Sequence, residues 1–312
     1  MNGLIAAAFL LDLLLGDPYG WPHPVIGIGK FIKRLELVLA SLLDNRRLAG
    51  VLLAAATLAA TGLVTWAIIF LAARLHPVAG LAVTVWLGYT TLAMRSLHVE
   101  SRRVVTLLEQ GRIEEARRSL SLIVGRETSQ LDEEQILRAC IETVAENTSD
   151  GIVGPLFYLF VGGPVLAMMY KAASTLDSMV GYTDDRYREM GWASARLDDL
   201  LNLIPARLTG LLMVLASVPL GLNVWNALRV MLRDARKPSS PNAGYPESAA
   251  AGALGVQLGG PATYFGERVD KPTLGDADRR IDIGCYRRMI RLMYLTSFFA
   301  LLLGLVITWP LY

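Results

Sequence analysis

The stretch RACIETVAENTSDGIVGPLFYLFVGGPVLAMMYK, Arg138 to Lys171, decides the fold. Its first half is a charged helix carrying Glu142, Glu146, Asn147 and Asp150; its second half, with no linker, is apolar enough to enter a bilayer. Glu142 and Glu146 are four apart and share a helix face, where like charges repel by roughly 0.2–0.5 kcal/mol. Asp150 follows one turn later if the helix persists. Acids on a solvated helix face need no special reason. Here, however, Gly151–Ile152 already heads into hydrocarbon, and charge beside hydrocarbon is expensive and tends to be functional.

The whole chain agrees with a membrane reading. Of 312 residues 53% are hydrophobic and only 19% charged, against about 25% charged in soluble domains, and the mean hydropathy is +0.42. The net charge of +2 gives no case for nucleic-acid binding. Cys140 and Cys285 are far apart and form no CxxC, so they read as reduced structural residues. The N-terminus lacks the basic start of a signal peptide, and Asp12 interrupts its apolar run.

A spanning helix needs about 20 predominantly apolar residues. Leu48–Ala73 and Val78–Met94, separated by RLHP, read as a helical hairpin. Ile152–Tyr170 is a third candidate, broken by Gly154, Pro155, Gly162, Gly163 and Pro164; broken backbone at that depth must be buried in protein or line a wet cavity. Leu208–Leu222 and Leu292–Trp309 complete the set, while Gly3–Leu15 is short and reads as re-entrant or interfacial. The fold expected is therefore an all-α polytopic membrane protein, a single membrane-embedded domain over 1–312 with about five spans. Its segments are 1–47 (re-entrant or interfacial), 48–94 (hairpin), 95–150 (cytoplasmic helices), 151–222 (broken and spanning helices with a polar insert 171–207), 223–291 (cytoplasmic loop and helices) and 292–312 (C-terminal span). Lys30, Lys33, Arg34, Arg46 and Arg47 precede the hairpin, and 95–150 and 223–291 are arginine-rich, whereas the hairpin turn carries only Arg74. The positive-inside rule then puts the three basic segments in the cytoplasm. A broken third segment that dips in and returns would keep 171–207 on the same side.

Other polar stretches share this interfacial character. LDLLLGDPYGWPHPV sets Asp12, Asp17 and His23 around two turns after an apolar run, where Asp17 is suited to capping backbone amides. Lys171 and Asp177 lie just past the broken segment, a place where a lysine ordinarily snorkels to the interface. RLDDLLNLIPARLTG holds Asp198, Asp199, Asn202 and Arg207. The stretch from Pro238 to Gly266 is a Pro/Gly/Ser/Asn loop followed by small residues, long for a loop without a task and rich enough in Gly and Asn for a phosphate-binding amide nest.

Absent motifs narrow the field. There is no GxxxxGK[ST], no GxGxxG after a strand and no GxSxG. His23, His76 and His98 are scattered, which gives no zinc case. Aspartate pairs at 184–185 and 198–199 lack the third acid of polyprenyl-diphosphate enzymes. Oxygen ligands dominate, so any metal is hard, magnesium rather than a transition ion.

Five separate motifs in order, LLDLLLGDPYGWPHPVIGIGKFI, IVGRETSQLDEEQILRACIETVAENTSDGIVGPLFY, YKAASTLDSMVGYTDDRY, DDLLNLIPARLTG and SPNAGYPESAAAGALGVQLGGPATYFG, together resemble the CbiB/CobD family of adenosylcobinamide-phosphate synthases in cobalamin biosynthesis. The resemblance runs from Met1 to about Gly275, with one departure: Arg126-Glu127-Thr128 stands where Arg-Asp-Thr is expected. It implies a multi-pass enzyme of the bacterial inner membrane. Such an enzyme attaches (R)-1-amino-2-propanol O-phosphate to the propionate carboxylate of adenosylcobyric acid, with ATP and Mg2+ as co-reactants. The site would lie on the cytoplasmic face, among membrane lipids and beside other membrane-bound corrinoid enzymes.

Such a reaction gives these residues work. A carboxylate becomes reactive toward an amine once phosphorylated, and magnesium shields the crowded phosphates. Glu142, Glu146 and Asp150 are the expected metal ligands, with Asn147 as neutral partner. Arg126, Lys171 and Arg207 are expected to bind phosphate, and Asp177 or Asp12 to take the proton from the attacking ammonium. Asp17, His23, Asn242 and Glu247 are assigned to substrate or phosphate binding. Competing readings are a transporter of a small anion or corrinoid intermediate, a lipid phosphotransferase (which would need DGxxAR, absent after Asp150-Gly151), and a scaffold without turnover.

Overall fold

The computed structural model describes residues 1–18, 20–181, 187–264 and 266–309. Helices dominate, and four helical stretches, Arg46–Leu75, Pro77–Glu109, Glu133–Val180 and Ile283–Thr308, are long and apolar enough to cross a membrane; counting the pair Trp192–Leu201 and Leu203–Ser217 together makes a fifth. The polytopic all-α expectation holds. The fourth expected span does not stand alone: its helix is Leu203–Ser217, 15 residues, about 22 Å at the α-helical rise and short of a bilayer core. Asn2–Leu15 is likewise short, as expected. The aspartate pair 184–185 lies outside the described residues.

The fold groups the chain into two compact units, neither of them contiguous: Met1–Ala93 with Gly154–Asn202 and Leu303–Tyr312, and Met94–Val153 with Leu203–Leu302.

The first unit holds α1 (Asn2–Leu15), α2 (Pro24–Leu42), α3 (Arg46–Leu75), α4 (Pro77–Tyr89), α8 (Gly154–Val180) and α9 (Trp192–Leu201). Two histidines start helices here. His23 and His76 each precede a proline at the first helical position, and each Nδ1 accepts from the second amide on, Val25 N at 3.3 Å and Val78 N at 3.2 Å. A proline there forfeits no intrahelical bond, since that N–H has no partner anyway. The α3–α4 hairpin is tight: a Cβ on Gly80 would stand 2.7 Å from the Ala73 Cβ. Ile32, Leu53, Leu176, Val180 and Met190 form a core among α2, α3, α8 and the approach to α9. The outer face of α3, by contrast, leaves Leu63, Val64, Trp66 and Leu71 exposed, as a lipid-facing helix does. Within α8 the helix breaks at Gly162–Gly163, where Gly163 takes φ 66°, ψ −162° and Pro164 follows; that conformation is essentially confined to glycine. Tyr170 Oη donates to Asn202 Oδ1 (2.6 Å), and Tyr158 Oη to the Leu201 carbonyl (2.8 Å), tying α8 to the end of α9.

The second unit holds α5 (Met94–Glu109), α6 (Ile113–Leu120), α7 (Glu133–Thr148), a π turn (Ser149–Val153), α10 (Leu203–Ser217), α11 (Val224–Asp234), α12 (Gly244–Leu254) and two short antiparallel pairs. β1 (Leu258–Gly259) pairs with β4 (Thr273–Leu274), and β2 (Ala262–Tyr264) with β3 (Glu267–Val269). Gly111, at φ 72°, makes the break between α5 and α6. A reciprocal cap starts α7: the Asp132 carboxylate accepts from Gln135 N (2.8 Å) and the Gln135 side-chain Oε1 from Asp132 N (2.9 Å), a pattern worth about 1 kcal/mol. The small residues of α12 let it lie close on α11; a Cβ on Gly252 would stand 2.5 Å from the Asn226 carbonyl oxygen. Cys140 and Cys285 are buried free thiols.

Candidate functional site

In the second unit, α7, α12, the loop before α12 and the two β pairs enclose a cavity of about 520 Å³. Its wall carries Glu142, Glu146 and Asn147 from α7, Glu247 from α12, Arg126 from the loop after α6, and Tyr264 and Lys271 from the β segment. The capped start of α7 aims Glu142 and Glu146 along one stripe. The Arg126 loop is held by Arg117, whose Nε donates to the Leu131 carbonyl (2.8 Å) and whose carbonyl accepts from Thr128 Oγ1 (2.8 Å). Glu127 explains the longer acid in Arg-Glu-Thr: its N–H donates to the Thr263 carbonyl (2.9 Å), and its Oε1 accepts from Gly266 N (2.6 Å) at the turn between β2 and β3.

Glu142 is the fixed point of the wall. Its side chain is 4% exposed; Oε1 accepts from Gly259 N at 2.6 Å and Oε2 from the Arg126 guanidinium. Gly259, at φ 73°, has no room for a side chain, because a Cβ would stand 2.3 Å from the Pro272 carbonyl oxygen. Glu146 and Glu247 differ. Both are half-buried, and neither carboxylate has a hydrogen bond or ion pair with a described residue. Burial, with the Glu146 and Glu142 charges nearby, pushes the Glu247 carboxyl well above its ordinary range, and Lys271 and Arg126 only partly offset this. Lys271 donates to Tyr264 Oη and lies over that ring, 4.7 Å from its centroid. At the rim, Lys237 is anchored 2.7 Å from buried Asp234. Asp234 also accepts from Arg233 and from Gly275 N, and these bonds, Arg233 foremost, hold it far below the carboxylate range.

Of the residues expected at a site, Arg126, Glu142, Glu146, Asn147 and Glu247 thus come together. Asn147 is a weak ligand candidate, since its Nδ2 already donates to the Thr143 carbonyl (3.0 Å). The expected metal trio does not converge: Glu142 is engaged at both oxygens, and Asp150 falls in the π turn and off the cavity wall. Among the described residues no group of three or more His, Cys, Asp or Glu side chains is placed to hold a metal. Arg207 and Asn242 pair with each other (3.2 Å), with the guanidinium over Tyr245, and stand outside the cavity. No residue of the broken segment 152–170 lines it. Lys271, Lys237 and Tyr264 carry no local signal in the sequence; Lys271 follows a short hairpin that propensity does not mark.

The first unit gathers the others. Asp17, His23 and Lys171 line a cavity of about 420 Å³ together with Trp21, Trp86 and Tyr89. His23 Nε2 lies 3.3 Å from Asp17 Oδ1, so His23 both caps α2 and meets the acid. Tyr89 Oη donates to the Gly16 carbonyl, closing the turn after α1. Asp12 is buried in α1, and Asp177 sits near the end of α8 beside Gly181; neither lines this cavity.

Comparison with known proteins adds a pattern over the whole chain. A family model described as CobD/Cbib protein matches residues 5–293. A cobalamin biosynthesis protein CobD of Geobacter metallireducens is 53% identical over 307 residues, covering 98% of this chain and 96% of the relative. Another, from Pelobacter propionicus, is 56% identical over 294 residues, 94% of this chain and 91% of its own. The cobalamin biosynthesis protein CbiB of Salmonella typhimurium is 49% identical over 299 residues, 95% and 94%. No solved structure matches.

Proposed function

The chain belongs to the CobD/CbiB family of cobalamin biosynthesis proteins, and from that premise we propose that it is an amide-forming ligase. In this reading it joins (R)-1-amino-2-propanol O-phosphate to the propionate carboxylate of adenosylcobyric acid at the expense of ATP, on the cytoplasmic face of the inner membrane. The observation that carries the proposal is the cavity of the second unit, where two carboxylates without protein partners, Glu146 and Glu247, face Arg126 and Lys271.

The chemistry runs in two steps. The corrinoid carboxylate oxygen attacks the γ-phosphorus of ATP, ADP leaves, and an acyl phosphate forms. The amine nitrogen then attacks the acyl carbon, inorganic phosphate leaves, and the ammonium gives up two protons in all. Arg126 and Lys271 neutralise phosphate oxygens, Arg126 through its planar fork and Lys271 as a point charge. Glu247, whose carboxyl burial and the Glu146 and Glu142 charges raise above its ordinary range, is a better proton acceptor than an ordinary carboxylate and suits the transfer of those protons at the nitrogen. Magnesium, when bound, would shield the phosphates. It is usually held by one or two carboxylates plus substrate phosphate oxygens, and Glu146 would supply one.

The test is turnover by the purified protein in nanodiscs with adenosylcobyric acid, aminopropanol phosphate, ATP and Mg2+, followed by product mass and ADP release. Product with stoichiometric ADP, lost by a hundredfold or more in Glu146→Gln and Glu247→Gln, is the expected result. A folded wild-type protein that makes no product, or a Glu146→Gln variant with full activity, would count against it.

A further inference from the structure

A second cavity in the same unit, about 420 Å³, lies against the reaction cavity and shares Arg126 and Gly259 with it. Its other ionisable lining residues are Arg138, Arg268 and Glu127. Three guanidiniums thus face one small space together with the Glu127 carboxylate, which accepts from Gly266 N; each also has a carboxylate partner outside the lining, Glu142 for Arg126, Glu134 for Arg138 and Asp270 for Arg268. Ser129 and Gln135 add neutral polar groups.

Arg138 supplies the independent observation. Its Nη2 donates to Glu134 (3.1 Å), but its Nε–H is buried and has no acceptor among the described residues. A buried donor left unmatched is costly, and such groups call for an explanation. Arg268, by contrast, is an exposed arm whose only side-chain partner among the described residues is Asp270 at 3.3 Å, itself exposed. A guanidinium carries five N–H donors, and the single bonds to Glu134 and Asp270 leave others on Arg138 and Arg268 for a dianion that presents several oxygens.

We propose that this arginine-lined cavity binds the phosphomonoester of the amine substrate, so that the amine reaches past Arg126 and Gly259 into the reaction cavity. The volume lies at the low end of ligand pockets, which run about 300–1,000 Å³, and fits a small phosphorylated amine rather than a macrocycle. The assignment rests on the ligase reading for the identity of the amine but not on turnover. It also gives the phosphate a purpose. The group is not consumed in amide formation, and its binding energy would position the nitrogen.

The test is equilibrium binding to the full-length protein in detergent, without ATP or corrinoid, using calorimetry with (R)-1-amino-2-propanol O-phosphate, inorganic phosphate and unphosphorylated aminopropanol. Arg138→Gln and Arg268→Gln should each weaken the first two by about 10- to 100-fold, the span of a charge-assisted hydrogen bond. Aminopropanol and ATP binding should be unchanged. Arg268 is exposed, so its variant should fold whatever becomes of Arg138→Gln. Unchanged phosphate binding in Arg268→Gln with a wild-type melting curve overturns the proposal, as does a loss of ATP affinity in place of phosphate affinity. If inorganic phosphate binding is arginine-dependent while the wild-type protein makes no product, the ligase reading fails and the anion site stands.

Discussion

Removing Glu142 tests the site and its scaffold together. The carboxylate is nearly enclosed and accepts from two donors that come from different parts of the second unit, Arg126 in the loop before α7 and Gly259 in β1. In Glu142→Ala, Arg126 keeps only 18% of its side chain in contact with solvent, and the Gly259 amide loses its acceptor. Breaking a buried ion pair by deleting one partner costs about 3–5 kcal/mol. At roughly 2–4 °C per kcal/mol for a unit of this size, the melting temperature should fall by about 10 °C. Glu142→Gln retains an acceptor for Gly259 and loses the charge, so it should fall by about half as much. Arg126→Met alone leaves a buried carboxylate without its cation and should resemble Glu142→Ala. The double variant Arg126→Met/Glu142→Leu removes both charges, and replacing a buried pair by apolar groups is often neutral. Scanning fluorimetry in detergent reads all four proteins, and the coupling energy should reach at least about 1.5 kcal/mol in the direction of rescue. A double variant as unstable as the sum of the singles would refute the pair as the element that locks the wall, whatever the activities show.

Three more outcomes are expected. Glu247 is an acid whose folded pKa stands above its ordinary 4.5, so the folded state binds more protons than the unfolded one and stability falls as pH rises from that value through the raised one. The melting temperature of Glu247→Gln minus that of wild type should therefore grow between pH 5 and pH 8; a difference that shrinks over that range would contradict the sign. Gly163→Ala places a side chain on backbone at φ 66°, ψ −162° and should cost about 1–3 kcal/mol, measured by thermal unfolding, with an unshifted curve as the adverse result. Glu127→Ala frees the Gly266 amide at an exposed turn and should raise hydrogen exchange across 262–269 with a stability loss of no more than about 1 kcal/mol; unaltered exchange would mean that the acid does not hold the hairpin.

Periodicity and apolar length made the membrane frame legible, because hydrocarbon demands long uninterrupted helices and Leu48–Ala73 or Leu292–Trp309 admit no other reading. The Glu142–Glu146 stripe was legible for the same reason, since α7 stays regular through Thr148. Asp150 falls in the π turn Ser149–Val153, where the α-helical spacing assumed from the sequence no longer applies, and it does not line the cavity. Glu247 and Arg126 were singled out through family resemblance rather than spacing. Nothing local says that they meet, since the two lie more than a hundred residues apart in the sequence. The two short β pairs were hidden by composition: LGGPATY offers little β propensity, and its strands are set by long-range anchors such as Glu127 and Glu142. Grouping of the segments into two interleaved units is a property of tertiary contacts, invisible to a reading that moves along the chain.

That interleaving has a meaning in time. Glu142 and Gly259 are 117 residues apart, and ribosomes extend chains at about 5–20 residues per second. A newly made α7 therefore waits roughly 6–23 s, while two further apolar segments are delivered to the membrane, before the amide that completes the Glu142 carboxylate exists. During that interval Arg126 alone can neutralise the acid. The ion pair would then act as a placeholder that keeps a bare carboxylate out of hydrocarbon until the rest of the protein arrives.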